Sequence, residues 1–249
     1  MFSVRIVVLA LAALLMVPVT ADAADWDFTL APYLWFAGLE GDAATIPGLP
    51  SAPIDVSPSQ AIEDTEAALM LVFEARKGRG GLFVDLIYTD VRSEEEFLPA
   101  LGISVRSRSK STLLSGAYEY RLMDSESGNF DLLGGARYWE VDSFLGFTGP
   151  LGLSGRNKED WVDPFLGLKA RHRFGNSRFY ISYIAVVGGF DVSSKLFYDL
   201  NVNLGYQWTK AIGTVVGYRL FDVDYDHSGF VWDVQQEGLG VGLTWSFGP

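Results

Sequence analysis

The chain has two histidines, and His227 lies beside groups that could activate water or a hydroxyl. An acidic segment, Asp222 to Asp226, precedes it, and Ser228 follows it. Carboxylates with a histidine can activate water for peptide cleavage, and a histidine can activate a serine for cleavage of a lipid ester. Adjacent residues of a strand point to opposite faces, however, so Asp226 and His227 would diverge on a shared strand. We therefore assign no catalytic residue and expect a protein that is not an enzyme.

Metal and cofactor chemistry is equally weakly supported by the sequence. Cysteine is absent, which excludes disulfides and cysteine-based metal sites. The acidic runs Glu94–Glu96 and Asp222–Asp226 offer oxygen ligands for calcium or magnesium, but no defined loop spacing supports such a site. The formal net charge of −12 disfavours a nucleic-acid partner. We assign no metal and no cofactor.

The N-terminal segment differs in composition from the rest of the chain. Arg5 precedes an unbroken apolar run, Ile6–Val17, and Pro18 ends that run. The small residues of Ala21-Asp22-Ala23 then match the pattern that signal peptidase cleaves. The apolar run is too short for a membrane span of about 20 residues. Residues 1–23 are therefore predicted to be a secretory signal peptide, and residues 24–249 a single exported domain.

In the exported domain the apolar residues recur with period two, which indicates strands. In 196–208, for example, Leu200, Val202 and Leu204 share one face, while Asp199 and Asn201 lie on the other. Most predicted strands are about twice as long as the ordinary strand of about 5–6 residues. The ten predicted strands lie near 25–38, 65–77, 80–92, 104–121, 129–143, 161–174, 178–190, 196–208, 211–224 and 231–247.

The connections alternate between short polar turns and mostly longer segments, namely 39–64, 93–103 and 144–160. Basic residues lie at or beside the short turns, among them Arg76, Arg79 and Arg121, and acidic residues such as Glu94 lie near the long connections. Short turns at one rim and long loops at the other are typical of outer-membrane barrels. We predict an all-β fold, a single transmembrane antiparallel up-and-down β-barrel of about ten strands, with eight or twelve as alternatives.

Small residues indicate which face points inward. The polar faces carry Gly238, Gly240 and Gly242 on one strand, and four serines at 107, 109, 111 and 115 on another. On the solvent face of a soluble barrel, such glycines would weaken the strand without an evident gain. Aromatic residues also gather near strand ends, as at membrane interfaces. A soluble secreted ligand-binding barrel with the apolar face inside remains the alternative.

The inward faces would enclose several charged residues. Isolated buried charge is costly, so these groups are expected to pair across a narrow interior. The predicted luminal charge network comprises Glu74, Asp85, Arg137, Lys169, Arg171, Asp199 and Arg219. Barrels near eight strands are filled by side chains. We therefore expect a narrow or filled lumen with a structural envelope role or a small-solute channel, and a lipid- or peptide-hydrolysing barrel enzyme is the alternative.

Two segments also carry a family resemblance. Asp25–Gly41 (DWDFTLAPYLWFAGLEG) resembles the opening of a broad group of uncharacterised proteobacterial outer-membrane β-barrel (porin-like) proteins, and residues 55–88 give a second match. The resemblance implies a Gram-negative outer-membrane location, with lipid as a partner and Phe247 near the C-terminus as a signal to the barrel-assembly machinery. Arg106, Arg108 and Lys110 could meet lipopolysaccharide phosphates. The oligomeric state is left open.

Overall fold

The computed structural model describes residues 26–46, 48, 50–98, 103–148 and 153–248, so the predicted signal peptide, 1–23, lies outside the described residues. The described segments form eleven strands and a short helix. Their bounds are β1 Asp27–Ala44, β2 Ala52–Val56, α1 Pro58–Asp64, β3 Thr65–Lys77, β4 Gly80–Leu98, β5 Ile103–Ser125, β6 Gly128–Phe147, β7 Ser154–Arg173, β8 Phe179–Gly189, β9 Leu196–Gln207, β10 Ile212–His227 and β11 Phe230–Phe247.

Ten of the strands close into an antiparallel barrel, which confirms the predicted fold class. Each strand from β3 to β10 pairs with the next, β3 also pairs with β1, and β11 pairs with β1 to complete the ring. The closing pair is long, running from Phe28 opposite Phe247 to Ala44 opposite Val231. Closure removes the free sheet edges, so the backbone groups of the wall bond to one another.

The segment 39–64, predicted as a long connection, contains more structure than expected. The end of β1 continues to Ala44, and its residues 39–43 pair with the short strand β2. Helix α1 follows, with Ser57 as its N-cap: the Ser57 side chain accepts from the Gln60 backbone, while the Gln60 side chain accepts from Ser57 N. This reciprocal pair is a capping box, and Pro58 suits the first helical turn.

Two further predicted connections are largely strand. Pairing of β4 with β5 continues to Leu98 opposite Ile103, and pairing of β6 with β7 continues to Gly146 opposite Ser154. The predictions of long loops at 93–103 and 144–160 were therefore mostly wrong. The physical reason is cross-strand charge pairing, which stabilises a hairpin whose residues are not apolar. Arg156 donates to Asp142 across the β6–β7 hairpin, with Nε 2.9 Å from Oδ1.

The apolar faces of the strands point out of the barrel. Leu166, Val216 and Leu239 are 58%, 56% and 60% exposed, whereas Phe197 on the inner face is fully buried. At the short-turn end, the outward ring of Phe28 stacks on Phe247 at 5.4 Å between centroids. No helix among the described residues is long and apolar enough to cross a membrane.

Candidate functional site

The middle of the lumen holds a group of paired charges, here called the central charge cluster: Tyr33, Asp85, Arg137, Asp199 and Arg219. The Asp199 carboxylate accepts from Arg137 Nη2 at 2.7 Å and from Arg219 Nε at 2.9 Å. All three side chains are almost completely buried. Burial strengthens these charge-assisted bonds and makes each unpaired member costly.

Arg219 links the two sides of the lumen. Its Nη2 donates to Asp85 Oδ2 at 2.8 Å, and its Nη1 donates to the Tyr33 hydroxyl oxygen at 2.9 Å. The Tyr33 hydroxyl in turn donates to Asp85 Oδ1 at 2.8 Å. Strands β1, β4, β6, β9 and β10 each supply one member of the cluster at an inward position. Two arginines and two aspartates leave the cluster without net charge.

A second group, the turn-side charge cluster, lies nearer the short turns and comprises Glu74, Arg76, Glu119, Arg121, Asp131 and Lys169. Lys169 Nζ donates to Glu74 Oε2 at 2.7 Å and also pairs with Glu119. Arg121 Nε donates to Asp131 Oδ1 at 2.7 Å. Glu119 and Asp131 are fully buried, so their charges depend on these partners.

Aromatic side chains fill the lumen on the long-loop side and form what we call the aromatic layer: Trp139, Trp161, Phe197, Phe221, Tyr225 and Phe230. The rings of Trp139 and Trp161 stack at 5.4 Å, and Trp161 stacks on Tyr225 at 3.9 Å. Trp161 Nε1 also donates to Ser194 Oγ at 3.0 Å, which ties the β8–β9 connection over this layer. The guanidinium of Arg137 lies 4.7 Å from the Phe197 ring centroid, where the charge meets the aromatic layer.

Glycines in the wall make room for inward rings. A Cβ at Gly188 would lie 2.4 Å from the Phe197 ring, and a Cβ at Gly205 would lie 2.1 Å from the Tyr180 ring. Both distances are far below van der Waals contact, so any larger residue would displace the aromatic side chain. These glycines therefore let Phe197 and Tyr180 lie against the wall.

The structure places the seven predicted luminal residues in three settings. Asp85, Arg137, Asp199 and Arg219 meet in the central charge cluster, and Glu74 and Lys169 meet in the turn-side charge cluster. Arg171 stands apart: its Nη2 donates to Gln207 Oε1 at 2.8 Å, and it forms no ion pair within the described residues.

Sequence reasoning missed Tyr33, Glu119 and Asp131, and it placed Arg76 and Arg121 only at the basic rim. Glu119 carried a usable signal, because it alternates with Tyr118 and Tyr120, which are exposed on the outer face. Arg76 lies near a short turn as expected, but its side chain turns inward and pairs with Asp131 at 3.1 Å.

The two histidines lie at opposite ends of the barrel, and Asp224 of the acidic segment is paired with a lysine. Asp224 pairs with Lys195, with Oδ1 3.0 Å from Nζ. His227 ends β10 with its ring 6.5 Å from the Tyr225 ring, and His172 lies at the opposite end of the barrel beside Phe174. Within the described residues, no group of three or more histidines and carboxylates is placed to hold a metal ion.

Neither the family models nor the curated proteins contain a match to this sequence. Among solved structures, the outer-membrane protease OmpT from Escherichia coli matches with a TM-score of 0.52 at 10% identity, covering 91% of this chain and 98% of that chain. The translocator domain of autotransporter NalP from Neisseria meningitidis matches with 0.40 at 10% identity, covering 98% and 94%. Ail, the attachment invasion locus protein of Yersinia pestis, matches with 0.39 at 12% identity, covering 90% and 99%. The likeness to OmpT is one of fold alone.

Proposed function

We propose that this chain is an integral outer-membrane protein with an occluded lumen and a structural role in the envelope, and that it forms no open pore. The observation that carries the proposal is the filling of the lumen by the central charge cluster and the aromatic layer. Residues 1–23 would direct export and be removed.

The outer surface supports residence in a bilayer. Side chains such as Leu166, Val216 and Leu239 are more than half exposed, and they belong to a band of outward apolar residues on successive strands. A contiguous apolar surface of this extent is unusual for a soluble monomer. At the short-turn end, the stacked rings of Trp26, Phe28 and Phe247 resemble an interfacial aromatic girdle.

The interior argues against an open pore. Ten strands put the barrel near the size at which side chains fill the interior. Arg219 bonds to residues on both sides of the lumen, and the stacked indoles lie beyond it toward the loops. An ion would have to break buried charge pairs and then cross an apolar layer, and both steps are costly.

The chain surface also supports the proposed partners. Outer-membrane lipid would cover the apolar band. Arg106, Arg108 and Lys110 occupy outward positions on β5 beyond that band, where lipopolysaccharide phosphates would lie; each is already close to a carboxylate of β4. Phe247 at the end of β11 offers an aromatic group to the barrel-assembly machinery. We propose no catalytic role for this chain.

The proposal is tested by cell fractionation and single-channel recording. Expressed in a Gram-negative host, the full chain should enter the outer-membrane fraction and need detergent for release. Refolded and purified, it should give no stepwise conductance in a planar bilayer.

A variant with a smaller aromatic layer, Trp139→Ala with Trp161→Ala, provides the matched control, and its folding is checked by gel mobility with and without heating. Recovery of the wild type in the periplasm without detergent would refute membrane residence. Stepwise currents from the folded wild type would instead support the small-solute channel.

A further inference from the structure

A cavity of about 770 Å³ occupies the short-turn half of the lumen. Its inner end is formed by the central charge cluster, and its mouth by residues at the short turns and chain ends, among them Asp27, Lys210 and Gly248. The aromatic layer residues Trp139 and Trp161 are not part of its lining. The cavity is therefore closed toward the long loops and open toward the short turns, and its volume suits a ligand of drug-like size.

Arg171 gives the wall of this cavity a cation without a carboxylate partner among the described residues. Its guanidinium lies 3.6 Å from the Tyr180 ring centroid and donates to Gln207. By contrast, Arg137, Lys169 and Arg219 are held by carboxylates. Stacking on an aromatic face orients a guanidinium and leaves its edge available to bind an anion in two-point fashion.

Apart from its charged residues, the wall of the cavity combines neutral polar groups with apolar side chains. Next to Arg171, strand neighbours contribute the hydroxyl of Ser182 and the amides of Asn201 and Asn203, with Asn203 Nδ2 donating to Asn201 Oδ1 at 2.8 Å. Other parts of the lining are apolar, with Val72, Phe83, Ile184, Val186 and Val215. A wall that combines the Arg171 guanidinium, neutral hydrogen-bonding groups and aliphatic side chains is complementary to an anion with an apolar body.

We propose that the lumen is a binding pocket for an amphipathic organic anion, whose carboxylate or phosphate is held by Arg171 and whose apolar part lies against Ile184 and Val186. The ligand enters from the short-turn side. This binding function goes beyond the structural role proposed above. One part of it rests on that role, namely that the mouth of the cavity faces the periplasm, because the short turns of outer-membrane barrels face the periplasm.

The binding test uses the full mature chain in nanodiscs of zwitterionic lipid, with empty nanodiscs subtracted. Hexyl phosphate and hexanoate are the anionic probes, and hexanol is the neutral probe. Affinity is measured by titration while the ¹⁵N resonance of the Arg171 guanidinium is followed. Wild type should bind at least one of the anions saturably and shift that resonance, whereas hexanol should not. The preferred probe separates a phosphate ligand from a carboxylate ligand.

Arg171→Gln should weaken anion binding by about tenfold or more, since a charge-assisted bond is lost. Arg173→Gln is the matched control, because Arg173 lies on the same strand at the rim and donates to the Glu126 carbonyl. Ser182→Trp, which fills the cavity, should abolish binding of both anions; gel mobility with and without heating shows that each variant is folded. Equal affinity of wild type and Arg171→Gln would overturn the proposal, as would the absence of saturable binding.

The absence of cysteine allows a test of the entry side. Lys210→Cys at the mouth and Ser228→Cys in the β10–β11 turn are each labelled with a bulky maleimide. The label at 210 should block anion binding, and the label at 228 should not. If only the label at 228 blocked anion binding, the ligand would enter from the β10–β11 turn, and the proposed entry side would be refuted. These outcomes are separate from conductance and fractionation, so either proposal can fail while the other stands.

Discussion

Asp199 is the residue on which the central charge cluster depends most, because its carboxylate accepts from two arginines. Asp199→Asn would leave Arg137 and Arg219 with one buried negative charge, at Asp85, between them. Breaking a buried ion pair in this way costs about 3–5 kcal/mol. We expect the free energy of unfolding, measured by urea titration in lipid vesicles, to fall by about that amount.

A double-variant comparison separates the charge effect from simple loss of a side chain. Arg137→Met combined with Asp199→Asn restores neutrality and should recover part of the loss. Asp27→Asn at the exposed end of β1 is the control and should change stability little. If Asp199→Asn proves as mild as Asp27→Asn, the buried pairing does not stabilise the folded barrel.

At this scale the sequence predicts the face of a side chain but not its partner. Period two put Asp199 and Arg219 inside, because neighbouring residues of each strand alternate. It could not reveal that Arg137 and Asp199 would meet, since they lie on strands that are not neighbours in the sheet. Arg171 shows the same limit: its inward position was predictable, but its stacking on Tyr180 was not.

Among the elements, the extended hairpin of β6 and β7 shows how charge pairing stabilises strand beyond the apolar band. The hydrogen bond from Arg156 lowers the pKa of the Asp142 carboxyl below its ordinary value. Because this carboxyl has a lower pKa in the folded state than in the unfolded state, its ionisation stabilises the folded state at pH values above the ordinary carboxyl pKa. That stability is lost as the pH falls through the lowered pKa. Arg156 is largely exposed, so solvent screens the pair and its contribution to stability is small.

Arg156→Gln should therefore return the Asp142 pKa upward and increase hydrogen exchange at the tip of this hairpin. The pKa is measured by titration of the Asp142 carboxyl carbon in NMR spectra. Arg106→Gln, which removes a cation paired with Glu94 in the β4–β5 hairpin, serves as the control. An unchanged Asp142 pKa in Arg156→Gln would show that the pair is not formed in solution.

The elements differ in how well the sequence predicts them. The long strands followed from alternation, and β9 lies within one residue of its prediction. Helix α1 was missed because the prolines of the segment 39–64, at positions 47, 50, 53 and 58, favoured a loop, although Ser57 and Gln60 have the spacing of a capping box. Strand β2 has only five residues and contains Pro53, so its short alternation of Ile54 and Val56 with Asp55 was not recognised as a strand. Its pairing with β1 is set by the tertiary fold.

For the whole molecule, closure of the ring should govern resistance to detergent. The barrel is closed by β1 with β11 and by β1 with β3, so the β2–α1 segment lies outside the ring. When residues 45–64 are replaced with a short glycine-serine linker, the unheated protein should still migrate faster in SDS gels than the heated protein. Deletion of residues 239–247 should abolish this difference. Loss of the fast form in the linker variant would mean that β2 and α1 help to hold the ring closed.

The pairing of the first barrel strand with the last also constrains how the protein can be made. Until Phe247 has emerged, β1 has no partner on one side, and every shorter chain carries two unbonded strand edges. Such edges are intolerable in hydrocarbon and invite association in water. In the proposed outer-membrane setting, we therefore expect the polypeptide to stay unfolded and sheltered until β11 is available to pair with β1, and only then to close into the barrel.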